Sequence, residues 1–393
     1  MIYQFWKPAV PVLCAMLLSS CDEPSSHADT HLALEQSLQS LMDTTMSSDD
    51  TIPGVIVHVE APGIDFSWSG ASGVVDRESR TALSGRHPVR LASQTKTFVA
   101  AAVLRLREKG LLDLDGPISS YLDESYLEVL QRDAYDTDQI TVRHLLTHTS
   151  GIFDFAITDE YLQRVLGEPE KRWTRLEQLR GAIEWGEPYG EPGAVFAYSD
   201  TGYILLGEIV EKLTGLSLGA ALRELLRFER LGIRSTWQES VEPKPPGALD
   251  RAHQYMGEVD THSIDPSFDL FGGGGLAGTM SDLAVFMRSL FTGAVYDQAG
   301  TTEVMLTTID GVSAGPPYQG MPQVPGRYRM GIEVDRIQGM TGYYRGGFWG
   351  TYAVYFPELD LAVATAVNQQ NSSAGMHLTS QTIALVADAI RSN

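Results

Sequence analysis

Strand-like alternation occurs at the two ends of this chain and scarcely between them, and that distribution restricts the fold more than any other feature. Near the start, Ile52–Glu60 and Asp65–Ser69 read as two strands joined by a turn at Ala61-Pro62-Gly63, and Gly70–Asp76 is expected to add a third. Near the end, Tyr328–Val334, Gly350–Phe356 and Leu361–Val367 alternate in the same way. An amphipathic helix follows over Met376–Arg391, with Leu378, Ile383, Val386 and Ile390 on one face. The middle is helical in period: Ile140–Leu146, Thr201–Leu213 and Met280–Phe291 carry apolar faces, the last with Ser281 and Asp282 as expected caps. Glu239–Phe271 has little periodicity and reads as a long surface loop. One sheet built from both termini explains this order better than alternating βαβ units. The expected fold is therefore α+β (α/β): an antiparallel sheet from both chain ends, flanked by helices, with an inserted all-helical region. Its sheet parts are placed at about 51–115 and 325–393 and its helical part at about 116–324, all within one domain over 51–393.

The first fifty residues read differently. Lys7 precedes a short apolar run, Ala9–Leu18, too brief to cross a bilayer and suited to an export signal over residues 1–21. Leu18-Ser19-Ser20-Cys21 resembles the bacterial lipoprotein signal, which implies cleavage before Cys21 and lipidation of that residue; an ordinary signal peptide is the alternative. Of the two cysteines, Cys14 would leave with the signal, so no disulfide is expected. Asp22 resembles the signal for retention at the inner membrane, on the periplasmic side. Residues 22–50 are polar, their first half a tether, with a first helix expected from Leu32 through Leu34, Leu38, Leu41 and Met42. The formal charge of −21 argues against nucleic acid or an anionic lipid surface as a partner of the folded part. Membrane contact is then expected through the lipid alone, and the sequence is silent on oligomeric state.

Three stretches carry chemistry. In Leu91-Ala92-Ser93-Gln94-Thr95-Lys96, an apolar entry leads into an Ala-rich helix that runs to Lys109 and stops at Gly110. Ser93 lies near the helix N-terminus, where free N–H groups favour developing negative charge, and Lys96 stands on the same face at i+3. A hydroxyl and an amine so placed make a nucleophile and a base, although an isolated S-x-x-K also fits a plain helix cap. The second stretch, Glu191–Tyr203, presents Tyr198 and Asp200 from a loop just before a helix; half-buried filler and an N-cap are their local alternatives. In the third, Tyr344-Arg345-Gly346-Gly347-Phe348-Trp349-Gly350, glycines would let a ligand approach the backbone, or mark a simple bulge.

Together these motifs resemble the serine β-lactamase and penicillin-binding-protein superfamily, in its branch of class C β-lactamases, D-alanyl-D-alanine carboxypeptidases, D-aminopeptidases and related esterases. The resemblance runs through Ser93-x-x-Lys96, Leu145-Leu146-Thr147-His148-Thr149-Ser150-Gly151, Pro192-Gly193, Tyr198-Ser199-Asp200, Gly273-Gly274-Gly275 and the strand pair around Tyr352–Asn368. It implies Ser93 as the acylated nucleophile, Lys96 as its proton acceptor and Tyr198 as the relay to the leaving group. It also implies an oxyanion hole from the backbone N–H groups of Ser93 and Phe348, worth roughly 3–4 kcal/mol per donor. An amine accepts a proton only when neutral, so burial or a nearby cation must favour that form. Tyr198 needs the same help from a cation to give up its proton.

Two positions depart from the family pattern. Asp200 stands where Tyr-x-Asn is usual, and a carboxylate beside Lys96 opposes its role as a base. Arg345-Gly346-Gly347 is aligned with the Lys-Thr-Gly or His-x-Gly motif, with Met340-Thr341-Gly342 as a rival register. Arg345 could take a substrate carboxylate bidentately. The implied activity is an acyl-enzyme serine hydrolase of D-amino-acid peptides or amides related to cell-wall stems. Carboxylic esters, then β-lactams, and then a non-catalytic lipid-anchored binding protein are the alternatives. No cofactor or metal is expected. His144 and His148 lack an H-E-x-x-H pattern, Gly215-Leu216-Ser217-Leu218-Gly219 follows a helix rather than a strand, and Gly272–Gly275 lacks the Lys-Ser/Thr of a phosphate loop.

Overall fold

A computed structural model describes residues 25–133, 135–370 and 372–392. The expected signal at 1–21 and Cys21 lie outside the described residues. The architecture is a six-stranded antiparallel sheet between two helical layers. We label β1 (Gly54–Ala61), β2 (Phe66–Gly73), β3 (Glu333–Ile337), β4 (Met340–Gly347), β5 (Thr351–Phe356) and β6 (Leu361–Val367). Their order across the sheet is β3-β4-β5-β6-β1-β2, so the two chain ends meet where β6 pairs with β1 (Val55 opposite Val367).

Because both faces of the sheet are covered, its central strands are apolar throughout rather than half polar. In β1, Val55, Val57 and Val59 join Leu361, Val363 and Val367 of β6 against the terminal helices α1 (Ser25–Ser48) and, after β6, Ala374–Ser392. On the opposite face β5 and β6 present Ala353, Ala362, Ala364 and Ala366. These small side chains let the helix Met280–Phe291 lie close across the sheet. Beyond it lies α2 (Thr95–Glu108), buried at every position from Thr95 to Leu106, which only an Ala-rich helix with few long polar side chains tolerates. Phe98 is its anchor: the ring stacks on Phe286 (centroids 3.7 Å apart) and meets Phe228 edge-on at 5.9 Å.

Several expectations are corrected. The helix α1 begins at Ser25, so the stretch read as tether is helical in part; its buried Leu34, Leu38 and Met42 dock on the sheet. The third strand expected at 70–76 is the continuation of β2 to Gly73, after which Val74 makes a single bridge to Ala82. The strand expected from Tyr328 starts only at Glu333, because Arg329 and Ile332 close a turn around Gly331 (φ 75°). Residues 240–250 are a surface loop as expected, but 251–271 pack inward: Arg90 and Arg251 both grip Glu239, and a small ribbon pairs Tyr255–Met256 with Val259–Asp260. The cap of Met280–Phe291 is Thr279, while Asp282 instead accepts from Ser235 N and Thr236 Oγ1. Among the described residues the inserted region is helix-rich but carries two short two-stranded ribbons and two strands of a small three-stranded sheet.

Phe98→Ala is expected to lower the free energy of unfolding by about 3–5 kcal/mol, the range for emptying a large buried aromatic site. Urea denaturation measures it, and a loss below about 1 kcal/mol would show that the stack is not the anchor of α2.

Candidate active site

The site forms where three parts of the chain meet at the start of α2. Val89–Arg90 pairs with Leu276–Gly278, and Leu91 N donates to Leu276 O at 2.8 Å, which brings the glycine run 272–275 beside Ser93. Ser93 sits in a single 3-10 turn, Ala92–Gln94, that feeds α2. Ala92 before it has φ 48°, a left-handed conformation that a non-glycine residue adopts only when its surroundings impose it. The result is a half-buried Ser93 at the mouth of a helix.

Lys96 is fully buried, and its ammonium nitrogen has three acceptors. It donates to Ser93 Oγ at 3.2 Å, to Gly273 O at 2.6 Å, and to Asp200 Oδ1 in an ion pair. Gly273 fits only because it has no side chain: a Cβ there would lie 2.6 Å from Asp200 Oδ1.

Tyr198 approaches from the other side. The helix that follows it, α3 (Asp200–Thr214), is preceded by an extended Ser199 whose N–H donates to His148 Nδ1 at 3.1 Å. The His148 ring lies 4.2 Å from that of Tyr198. The phenol donates to Ser93 Oγ at 3.0 Å and accepts from Arg345 Nη2. Arg345 is itself pinned: Nε donates to Ser93 O at 3.2 Å, Nη1 to Glu333 at 3.3 Å, and its carbonyl accepts from Gln94 Nε2 at 2.7 Å.

The electrostatics follow from burial. The Tyr198 phenol is pushed well above the usual tyrosine range by burial, with Asp200 adding to the effect; the Arg345 charge and the bond to Ser93 oppose it and do not prevail. At rest, then, the phenol keeps its proton. Burial and the charges of Arg345 and Lys96 hold His148 neutral, well below the ordinary histidine value. Burial and Asp200 push Asp154 well above the ordinary carboxylate range, and its Oδ1 accepts from Asp200 N at 3.0 Å. Asp269, against the same glycine run, is raised to about 7 by burial and by Asp200. Burial works against the Arg345 charge, but Tyr198, Tyr328 and Glu333 outweigh it and keep the guanidinium protonated.

The fold therefore gathers Ser93, Lys96, Tyr198, Asp200 and Arg345 around one hydroxyl. Gly346 and Gly347 end β4, and a Cβ on Gly347 would meet Leu91 O at 2.5 Å, so this glycine sets how closely the strand approaches the Ser93 turn. Phe348 follows in the turn, half-buried, its ring 4.7 Å from that of Trp349. The rival triplet Met340-Thr341-Gly342 pairs with 335–337 at the opposite end of β4. The expected bidentate grip of Arg345 on a substrate carboxylate meets an obstacle: the guanidinium is 3% exposed and already engaged by Ser93, Tyr198 and Glu333. His144 and His148 serve a capping box and the Ser199 turn, and Gly215 ends α3 ahead of the next helix. Among the described residues no three His, Cys, Asp or Glu side chains group as metal ligands.

Sequence reasoning did not single out Gln94, Glu333, Asp154 or the Gly273 carbonyl. Glu333 and Arg345 become neighbours only through the β3–β4 pairing of Glu333 with Tyr344, a non-local contact that the sequence does not show.

Comparison with known proteins bears on the family of the chain. A family model described as Beta-lactamase matches residues 35–388. The chain is 25% identical over 305 residues to the mitochondrial serine beta-lactamase-like protein LACTB of Homo sapiens, covering 61% of this chain and 54% of that protein. It is 29% identical over 227 residues to the esterase EstB of Burkholderia gladioli, covering 56% of each. The chain thus spans about half the length of the curated relatives it matches. Among solved structures, the D-amino acid amidase of Ochrobactrum anthropi SV3, complexed with L-phenylalanine amide, superposes with a TM-score of 0.72 at 25% identity, covering 92% of this chain and 99% of the amidase. With the family model spanning nearly the whole described chain and a matching overall fold, the protein belongs to the beta-lactamase family.

Proposed function

We propose that the protein is a serine hydrolase that works through an acyl-enzyme on Ser93, with D-amino-acid amides or peptides as its favoured substrates. The observation that carries this reading is that the Ser93 hydroxyl receives hydrogen bonds from both Lys96, at 3.2 Å, and Tyr198, at 3.0 Å. A plain helix cap needs neither. The similarity to a D-amino acid amidase supports the substrate class, and the similarity to EstB supports carboxylic esters as a second one.

In this mechanism Lys96 acts as a neutral amine, its proton released to water before the reaction, and the ion pair with Asp200 opposes that release. Ser93 Oγ then attacks the acyl carbon and gives its proton to Lys96. Tyr198 delivers its own proton to the leaving nitrogen as the C–N bond breaks, and Arg345 stabilises the phenolate left behind. Water attacks the acyl-enzyme, its proton returns to Tyr198, and Lys96 restores the Ser93 hydroxyl. Arg345 acts here on the phenol rather than on a substrate carboxylate, in keeping with its engaged donors. The backbone N–H groups of Ser93 and Phe348 are the proposed oxyanion donors, and Gly347, packed against Leu91, sets their separation. Residues 1–21 would export the chain to the periplasmic side of a bacterial membrane, with Cys21 as the lipid-bearing residue and Asp22 favouring the inner membrane.

Three outcomes test this reading. A fluorophosphonate probe should label the parent protein and not Ser93→Ala; a parent that stays unlabelled contradicts the acyl-enzyme. Asp200→Asn should raise amide turnover at neutral pH, because without the carboxylate Lys96 gives up its proton more easily and can accept that of Ser93. Unchanged or lower turnover from about pH 6 to about pH 10 would count against the role given to that pair. Expressed in a bacterium, Cys21→Ala should move the protein from the membrane fraction to the soluble periplasm, and an unaltered distribution would refute lipidation there.

A further inference from the structure

Between Leu306 and Tyr328 the chain forms a strap laid over the Tyr198 loop. Ser313–Ala314 pairs in parallel with Val195–Phe196, and Gly315 N donates to Phe196 O at 2.8 Å. Further along, Tyr318 and Met321 exchange two backbone hydrogen bonds of 2.9 Å across Gln319 (φ 48°) and Gly320 (φ 78°). Both central residues are left-handed, as the tightest hairpins require, so this tip is a built turn and not slack chain. Gln323 locks it to the site: its Oε1 accepts from Tyr198 N at 2.7 Å while its Nε2 donates to Pro316 O at 2.6 Å. The strap thereby sets the Tyr318 ring against Tyr198, centroids 4.6 Å apart and planes at 62°.

The rings of His148 and Tyr328 that also flank Tyr198 are buried in the protein, whereas Tyr318 is half-buried and borders solvent. On the acyl-enzyme reading above, on which this inference rests, Tyr198 hands its proton to the leaving group. Whatever touches Tyr198 from the solvent side must then flank the departing atoms. We propose that Tyr318 is a specificity-determining residue whose ring, fixed by Gln323, receives a planar aromatic or apolar leaving group. The substrate class this favours is amides and esters whose departing amine or alcohol carries a ring, over primary amides that release ammonia. Nothing in this assignment depends on the Tyr318 hydroxyl.

The test compares D-phenylalanine p-nitroanilide with D-phenylalanine amide in the parent, Tyr318→Ala, Tyr318→Phe and Gln323→Ala, with fluorophosphonate labelling of Ser93 measured in each. Tyr318→Ala should lose about tenfold in kcat/KM on the anilide, carried by KM, and about twofold on the amide, as expected for one lost ring contact. Tyr318→Phe should keep the parent's preference, and Gln323→Ala should erode it in the same direction through a loosened strap. Equal losses on both substrates, or no loss on either, overturn the proposal while labelling of Ser93 leaves the acyl-enzyme reading standing. A parent that does not label removes that reading, and the proposal with it.

Discussion

The buried ammonium of Lys96 is the constraint around which the rest of the site is arranged. A charge removed from water needs partners for each of its protons, and here they come from three distant parts of the chain: Ser93 on the same helix, Asp200 at the start of α3, and the carbonyl of Gly273. Each partner demands something of its own segment. Gly273 must lack a side chain to fit beside Asp200, and Asp154, which accepts from Asp200 N, is pushed well above the carboxylate range by burial and by the Asp200 charge. The second cation, Arg345, is held in the same way by Glu333 and the Ser93 carbonyl, and reaches the hydroxyl through Tyr198.

Close backbone approach is what turns these pairs into a working cleft. Gly347 brings β4 against Leu91, and Thr351 Oγ1 donates to the same carbonyl at 3.2 Å, so the end of the sheet and the Ser93 turn share one acceptor. On the far side of α2, Gly331 packs against the Lys96 backbone, and its carbonyl accepts from Thr97 Oγ1 at 2.6 Å. Helix α2 is thus gripped on several sides by glycine contacts and by the Phe98 stack, and the nucleophile inherits that rigidity.

Much of this was legible in the sequence because the signals were local. Ser93 and Lys96 are one helical turn apart, Tyr198 and Asp200 flank a helix start, and Leu361–Val367 shows its apolar run at the length the strand takes. What escaped was non-local or disguised. Strand β4 carries three glycines in eight residues, so its composition reads as loop, although cross-strand partners on β3 and β5 hold it extended. The Glu333–Arg345 pair depends on that strand, so the engagement of Arg345 by Glu333 was not legible in the sequence. The Asp200 departure was visible at once, but it is the fold that sets Asp154 and Asp269 behind it, both raised by burial and by its charge.

The central claim is that Ser93 carries the acyl group during turnover. Acid-quenching the protein in the steady state with D-phenylalanine p-nitroanilide, followed by intact-mass measurement and peptide mapping, tests it most directly. The account predicts a mass increase of one phenylalanyl group, located on the peptide that contains Ser93. Sustained turnover with no adduct, or an adduct mapped to another residue, would contradict it.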